Sequence, residues 1–248
     1  MSVQTHATAA IRFRIAGPVR FLSHAETVRV LQRACARAAL PVRYTEGFNP
    51  HPRLSLPLPR PVGVEADEEL LVARVWEAGP VEDRPEREAA IGLALAEELP
   101  EGVEVLAVAL TASNASFHPR CAEYILPVCG ADDPEREAAL EDAITRVMNS
   151  QSCAVERASP GRKAPRRIDV RGFLCSIRLE NANLIVQHLT GASGSIRVEE
   201  ILHLFGLRRQ DLAGPVRRTK VTWETTQFDN TTQWNCLKTR AEDIEDDT

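Results

Sequence analysis

No stretch of this chain approaches the roughly 20 apolar residues needed to span a bilayer. Its start, MSVQTHATAA, lacks the basic residues and apolar block of a secretory signal. Both absences point to the cytoplasm and away from a membrane. No two cysteines stand as C-x-x-C. The six, Cys35, Cys121, Cys129, Cys153, Cys175 and Cys236, are spaced widely and irregularly. That fits neither a zinc ribbon nor a disulfide scaffold, and it lacks the close cysteine cluster of an iron–sulfur enzyme. They read as reduced, mostly buried thiols. Lysine is scarce, at three of 30 basic residues. An arginine excess of that kind has two readings, a binding surface or a general compositional bias.

What is present is ordinary in bulk. With 248 residues, 44% hydrophobic and 26% charged, the chain can build one large domain or two small ones. The net charge of −5 is unevenly spread. Residues 1–60 carry nine arginines against Glu26 and Glu46, residues 61–149 carry six arginines against twenty acids, and residues 150–225 are basic again. Two basic blocks around an acidic one suit an anionic partner.

Hydrophobic periodicity gives an α+β protein. Residues 1–10 are polar and alanine-rich and read as a flexible tail. Ile11–Ile15 alternates as a strand. Ser23 and Glu26 form a capping box for a helix Ser23–Ala39. Extended segments follow at Val42–Thr45, Leu54–Leu58 and Glu69–Trp76, then a helix Pro85–Leu99 and a strand Val103–Leu110. This β-α-β-β-α-β order is ferredoxin-like, with an antiparallel sheet. The second half repeats it roughly, with strands at Ala122–Val128, Cys153–Ala158, Ile168–Leu179, Asn183–Leu189 and Val216–Thr225. Its helices are Pro134–Asn149 and Val198–Phe205. The expected architecture is two ferredoxin-like halves, residues 11–115 and 116–226, joined near Thr111–Arg120. Residues 227–248 read as an acidic disordered tail.

Three clusters carry chemistry. The first is Tyr44–Leu58, YTEGFNPHPRLSLPL. Gly47 admits a positive φ, while Pro50 and Pro52 stiffen the chain around His51. Phe48, Asn49, His51 and Arg53 then offer a ring, an amide, an imidazole and a guanidinium, a set suited to stacking on a base and to phosphate. The plainer reading has Phe48 in the core and Asn49 satisfying loop backbone. The second cluster is Arg20-Phe21-Leu22-Ser23-His24, at a strand-to-helix junction whose free N–H groups favour an anion. Ser23 has a sufficient role as a cap. If this junction meets the first loop, His24 and His51 share a pocket. His24, Glu26, Glu46 and His51 have the residue types of a zinc or iron site, but their spacing is no ligand motif, and no metal or cofactor is expected. The third cluster is Arg157–Arg171, with six basic residues, including Arg166, Arg167 and Arg171, beside Asp169. It reads as a phosphate clamp or as a plain solvated loop. Asp169 and Arg171 alternate along one strand and would share a face.

FLSH, an arginine-rich helix and YTEGFNPHPRLSLPLPRPVGV together resemble the radical SAM-associated protein family (domain of unknown function 2344). KAPRRIDVRGFL and GSIRVEEILHLFGL extend the likeness, so that it covers roughly residues 10–222. Ala25 and Glu26 depart from the Leu and Asp usual in that family, and Glu26 keeps the carboxylate. The resemblance implies a radical SAM protein as partner, often a B12-binding one. Neighbouring ribonuclease and ribosomal protein genes imply a link to RNA or ribosome maturation. Without cluster-binding cysteines the chain is not itself a radical SAM enzyme. The expected function is an accessory protein that binds an RNA or ribosome-related substrate for such an enzyme. Two rivals stand beside it. One is an RNA-processing or RNA-modifying enzyme with His24 or His51 as general acid or base. The other is a protein-binding adaptor with no nucleic acid.

Overall fold

The computed structural model describes residues 5–77, 81–131, 133–158, 164–191, 194–226 and 235–236. The chain is mixed α+β with mostly antiparallel strand pairing and, among the described residues, four α-helices. It divides into two compact units.

The first unit comprises residues up to Arg60, Glu68–Phe117 and those from Thr225. Its elements are β1 (Thr5–Ile15), α1 (His24–Arg37), β2 (Leu54–Ser55), β3 (Glu65–Glu77, from Glu68 on), α2 (Arg84–Glu98) and β4 (Val103–Ala112). Across the sheet the order is β4-β1-β3-β2. β1 pairs antiparallel with β4 from Ala7↔Ala112 to Ile15↔Val103. Alternate residues Ile11, Phe13 and Ile15 of β1 meet Leu31 and Cys35 of α1, Leu95 of α2 and Leu71 of β3 in one core. The N-terminal tail is corrected here from Thr5 onward: those residues are strand, and Ala7, Ala9 and Ala10 are fully buried. Alanine hides the alternation of a strand because it is small enough to pack on either face. Residues 1–4 lie outside the described residues.

α1 starts as its capping box dictates. Ser23 N donates to Glu26 Oε2 at 2.8 Å, and Glu26 N donates to Ser23 Oγ at 3.3 Å. The Ser23 hydroxyl holds the Glu26 carboxyl below its ordinary pKa. Replacing Ser23 by Ala is expected to cost about 1 kcal/mol, read as a shifted urea midpoint at unchanged m-value. Gly102 closes the return into β4 at φ +86°, and its carbonyl accepts from Ala16 N at 2.8 Å. A Cβ there would lie 2.5 Å from the Ala16 oxygen, so only glycine fits.

The second unit comprises Pro61–Asp67 and His118–Glu224. It contains most of β5 (Ser116–Pro127), α3 (Pro134–Asn149), β6 (Ala154–Arg157), β7 (Arg166–Asp169), β8 (Leu174–Glu180), β9 (Asn183–Leu189), α4 (Val198–Leu204) and β10 (Arg217–Thr226). β10, β5, β9 and β8 lie side by side in that order, and β6 pairs with β7 as a separate ribbon. Leu140 and Val147 of α3 and Ile201 and Leu202 of α4 pack with Tyr124, Leu126, Leu184 and Val186. Two expectations are corrected. The boundary is not simply at 115/116, because Pro61–Asp67 belongs to this unit: Glu65 and Ala66 pair in parallel with Arg217 and Arg218. Ile168–Leu179 is not one strand, since Arg171–Phe173 forms a 3-10 turn between β7 and β8.

Of the expected acidic tail, only β11 (Asn235–Cys236) lies among the described residues, paired with Val108 and Ala107. The cysteines are more exposed than expected: Cys35 and Cys153 are buried, whereas Cys129 and Cys175 are exposed. Burial pushes the Cys35 thiol up to about 11, which keeps it protonated at neutral pH.

His188 in β9 is 2% exposed and stacks on Tyr124, with ring centroids 4.9 Å apart. Its Nδ1 lies 3.0 Å from the Leu189 carbonyl, and its Nε2 has no partner among the described residues. Burial, with a smaller contribution from Arg218, lowers its pKa below the ordinary 6.5. The unfolded chain therefore binds this proton more readily, and stability falls as pH drops below about 6.5, by up to about 1.4 kcal/mol per pH unit. A His188→Phe variant keeps the stack and loses this dependence. Urea unfolding on either side of pH 6 should show wild type losing stability relative to the variant on acidification.

Candidate functional site

The GFNPHP segment is the tip of a hairpin. Val42 bridges Val75 of β3, and Tyr44 bridges Pro52. Thr45 N donates to the His51 carbonyl at 2.8 Å, and His51 N donates to Thr45 Oγ1 at 2.9 Å. Below them Arg53 N donates to the Arg43 carbonyl, Arg43 N donates to the carbonyl of Arg74 in β3, and Arg74 N donates to the Arg53 carbonyl. These bonds hold both ends of the five-residue tip, Glu46–Pro50. Gly47 adopts φ +120°, which lets the chain reverse there. The expected strands Val42–Thr45 and Leu54–Leu58 shrink to these bridges and the two residues of β2 because the prolines remove ladder donors.

The tip displays its side chains. Phe48 is 105% exposed, so the core-plug reading of it is excluded. Asn49, His51 and Arg53 are also exposed, as is Tyr44 at the stem. At the base of the hairpin, the Arg43 guanidinium lies 4.9 Å over the Trp76 ring, a cation–π contact, and His6 stands 4.5 Å from that ring on a tilted plane.

The strand-to-helix junction is built by a residue that the sequence reading passed over. Arg60, almost fully buried, donates through Nη1 to the Arg20 carbonyl at 2.7 Å and through Nη2 to the Leu22 carbonyl at 3.2 Å. The signal was a charged residue bracketed by prolines, Pro59-Arg60-Pro61. Arg60, rather than His51, is what the long segment brings to the FLSH junction. Arg20 stacks on Phe21 at 4.5 Å and donates to the Gly17 carbonyl at 2.8 Å. Ser23 is committed to the cap. His24 opens α1, with its Nδ1 shut from solvent and without a hydrogen-bond partner among the described residues. No hydrogen bond or ring contact joins His24 to His51, and no group of three or more His, Cys, Asp or Glu among the described residues is arranged to hold a metal.

In the second unit the basic cluster divides. Arg157 makes a two-pronged ion pair with Glu200, at 2.6 and 2.7 Å, and donates to the Ser195 carbonyl. Arg171 donates to the Leu174 and Met148 carbonyls. Asp169 does not pair with the Arg171 guanidinium; its Oδ1 accepts from the backbone N–H groups of Cys153 and Arg171. These backbone bonds, led by the one from Arg171, hold its pKa below the ordinary value. Arg166 and Arg167 are exposed on β7. Arg162 and Lys163 lie outside the described residues. Beyond the ribbon, Arg208, Arg209 and Arg217 pair with Asp211, Glu199 and Asp67, and Arg218 is buried. Much of the second basic block is thus engaged in bonds within the chain, some buried and some at the surface.

The fold and site define a mixed α+β protein with an exposed aromatic-imidazole hairpin on its first unit. Residues 9–199 match one family model, and the chain belongs to that family, described as "Uncharacterized protein conserved in bacteria (DUF2344)". No curated protein matches the chain. Among solved structures, it is similar to a chain in the crystal structure of a Cbf5-Nop10-Gar1 complex, with 16% identity and a TM-score of 0.39. That likeness covers 86% of this chain and 48% of the other, so this chain spans about half of that relative's length. The regulatory subunit of aspartate kinase from Thermus flavus is also similar, with 16% identity, a TM-score of 0.22, and coverage of 82% of this chain and 92% of the other.

Proposed function

We propose that this protein is a non-catalytic accessory module that binds an RNA or ribosome-related substrate and presents it to a separate radical SAM enzyme. The observation that carries the reading is Phe48, bare at the tip of a hydrogen-bonded hairpin with His51 and Arg53 beside it. A phenyl ring held in water by backbone bonds gains nothing for the fold, and it suits stacking on an unpaired base. Arg53 is placed to meet phosphate, and in the second unit Arg166 and Arg167 offer the same chemistry. The radical SAM partner is carried by the family resemblance. We also read the first unit as ferredoxin-like, from its β-α-β-β-α-β order and its β4-β1-β3-β2 sheet, and the second as a looser version.

The test is binding to total tRNA and rRNA fragments across a salt series, with wild type beside a His51→Ala/Arg53→Ala variant. Salt-sensitive binding that the variant loses supports the reading, with a log–log slope of about −2 for roughly three phosphate contacts on a single strand. No binding at low salt overturns it and leaves the hairpin as a protein-docking element. Cleavage or modification of the RNA by the purified chain, lost in His24→Ala or His51→Ala while binding persists, would replace it with the enzyme reading.

A further inference from the structure

The ribbon of β6 and β7 in the second unit has an open edge. Among the described residues β6 pairs only with β7. Val170 N donates to the Cys153 carbonyl at 2.8 Å, which sets the alternation along the ladder. Val155 and Arg157 then turn their N–H and C=O groups toward β7, and Ala154 and Glu156 turn theirs away. The outer edge of β6 thus presents backbone donors and acceptors that no strand uses.

A groove of about 500 Å3 runs along that edge. Ala154, Val155 and Glu156 form one wall, and Glu199, Glu200 and His203 of α4 form the other. A strand edge facing a helix across an open space is what an extended peptide needs to add as a further strand. β6 is four residues long, which gives about 13 Å of edge.

The charge of the lining selects the guest. It holds three carboxylates and no Lys or Arg. Glu200 is taken up by both prongs of Arg157. Glu199 gives Oε1 to Arg209 at 2.7 Å, and its Oε2 is open among the described residues. Glu156 is exposed; Arg167 stands opposite it on β7, and no ion pair joins the two. Negative charge therefore remains after the pairs are counted. A second copy is a poor guest, because a two-fold β6–β6 pairing brings the two Glu156 carboxylates together. The chain's own AEDIEDDT stretch has the same sign as the groove.

We propose that this groove binds an extended, lysine-bearing segment of a partner protein, added antiparallel to β6. Guest residues opposite Ala154 and Glu156 exchange backbone bonds with them. A lysine opposite Glu156 has its side chain on the same face as that carboxylate. The guest residue between them points to the other face, where Val155 packs into the core of the unit, and a small apolar side chain suits it. The proposal stands whether or not the hairpin binds RNA.

The experiment is an amide-resolved NMR titration of the full chain, with amide hydrogen exchange, using the peptide Ac-TKVKT-NH2. Its controls are the same peptide N-methylated at both lysines and the acidic peptide Ac-TEVET-NH2. The lysine peptide is expected to bind saturably and to slow exchange at the Ala154 and Glu156 amides. N-methylation removes both guest donors and should weaken binding by about tenfold or more. The acidic peptide should bind about 2- to 30-fold more weakly. Glu156→Lys should remove the preference for the lysine peptide. Ala154→Pro removes one outward donor, at an edge position where proline is tolerated, and should weaken both peptides. A thermal melt is the folding control, and if Ala154→Pro fails to fold, the exposed Glu156→Lys change still decides. Equal affinity for the methylated and unmethylated peptides, equal affinity for the basic and acidic ones, or no binding at millimolar concentration each overturns the proposal. Self-association of the chain that Ala154→Pro abolishes would overturn it too, by seating a second copy on the edge.

Discussion

If the hairpin binds RNA as proposed, Phe48→Ala is expected to weaken binding of a single-stranded oligoribonucleotide by roughly 5- to 150-fold, the range for losing one stacked base. Thermal stability stays unchanged, because a fully exposed ring supports no core. Phe48→Trp keeps the affinity, since either ring offers a face. Fluorescence anisotropy of a labelled oligonucleotide measures the first and third effects, and a melt measures the second. The contrast separates stacking from charge: the His51→Ala/Arg53→Ala change should flatten the salt slope, whereas Phe48→Ala should lower affinity equally at every salt concentration. If affinity is unchanged in Phe48→Ala while wild type binds RNA well, the tip is not where bases stack.

The largest stability effect is expected at Glu200. Its carboxylate accepts both prongs of Arg157 and the Arg197 backbone N–H at 2.9 Å, in a nearly buried setting. The Glu200 partnership raises the Arg157 pKa above its ordinary value. Removing the carboxylate leaves the largely buried Arg157 guanidinium without its charge partner, and Glu200→Ala should destabilise the chain by about 3–5 kcal/mol. Replacing both partners, Arg157→Met with Glu200→Met, should cost less than either single loss, because no uncompensated charge remains. Urea unfolding of the four proteins gives the coupling directly. Additive single losses would show that the pair is only solvated surface.

The helices were legible because their starts are written in local chemistry. Ser23 with Glu26 opens α1 at the expected residue, and Asp133-Pro134 opens α3, where the Asp133 side chain accepts from Glu135 N and Arg136 N. What could not be read depends on partners distant in sequence. Arg171–Phe173 breaks an otherwise convincing strand because Arg171 reaches the Met148 carbonyl, 23 residues away. Thr5–Ala10 reads as a tail because alanines show no period, yet Ala7–Ala10 pair residue for residue with β4, more than 90 residues away in sequence. At the site, glycine and the prolines announced a shaped loop, but nothing local said whether Phe48 pointed in or out. The basic second block misled for a related reason. An arginine's charge is visible in a sequence, whereas its carboxylate partner, such as Glu200 for Arg157, is not.

The membership of Pro61–Asp67 also sets a timetable for synthesis. These residues leave the ribosome with the first unit on both sides of them, but Glu65 and Ala66 pair with Arg217 and Arg218. At about 5–20 residues per second, those partners emerge about 8–30 seconds later. Val64, whose neighbours are the core of the second unit, has nothing to bury against until those residues, from Tyr124 onward, are made. The first unit can condense early around β1, α1 and β4, but residues Pro61–Asp67, which interrupt it in sequence, gain their β10 partners only when the chain is nearly finished. Such late, non-local pairing is expected to make the docking of β10 slow.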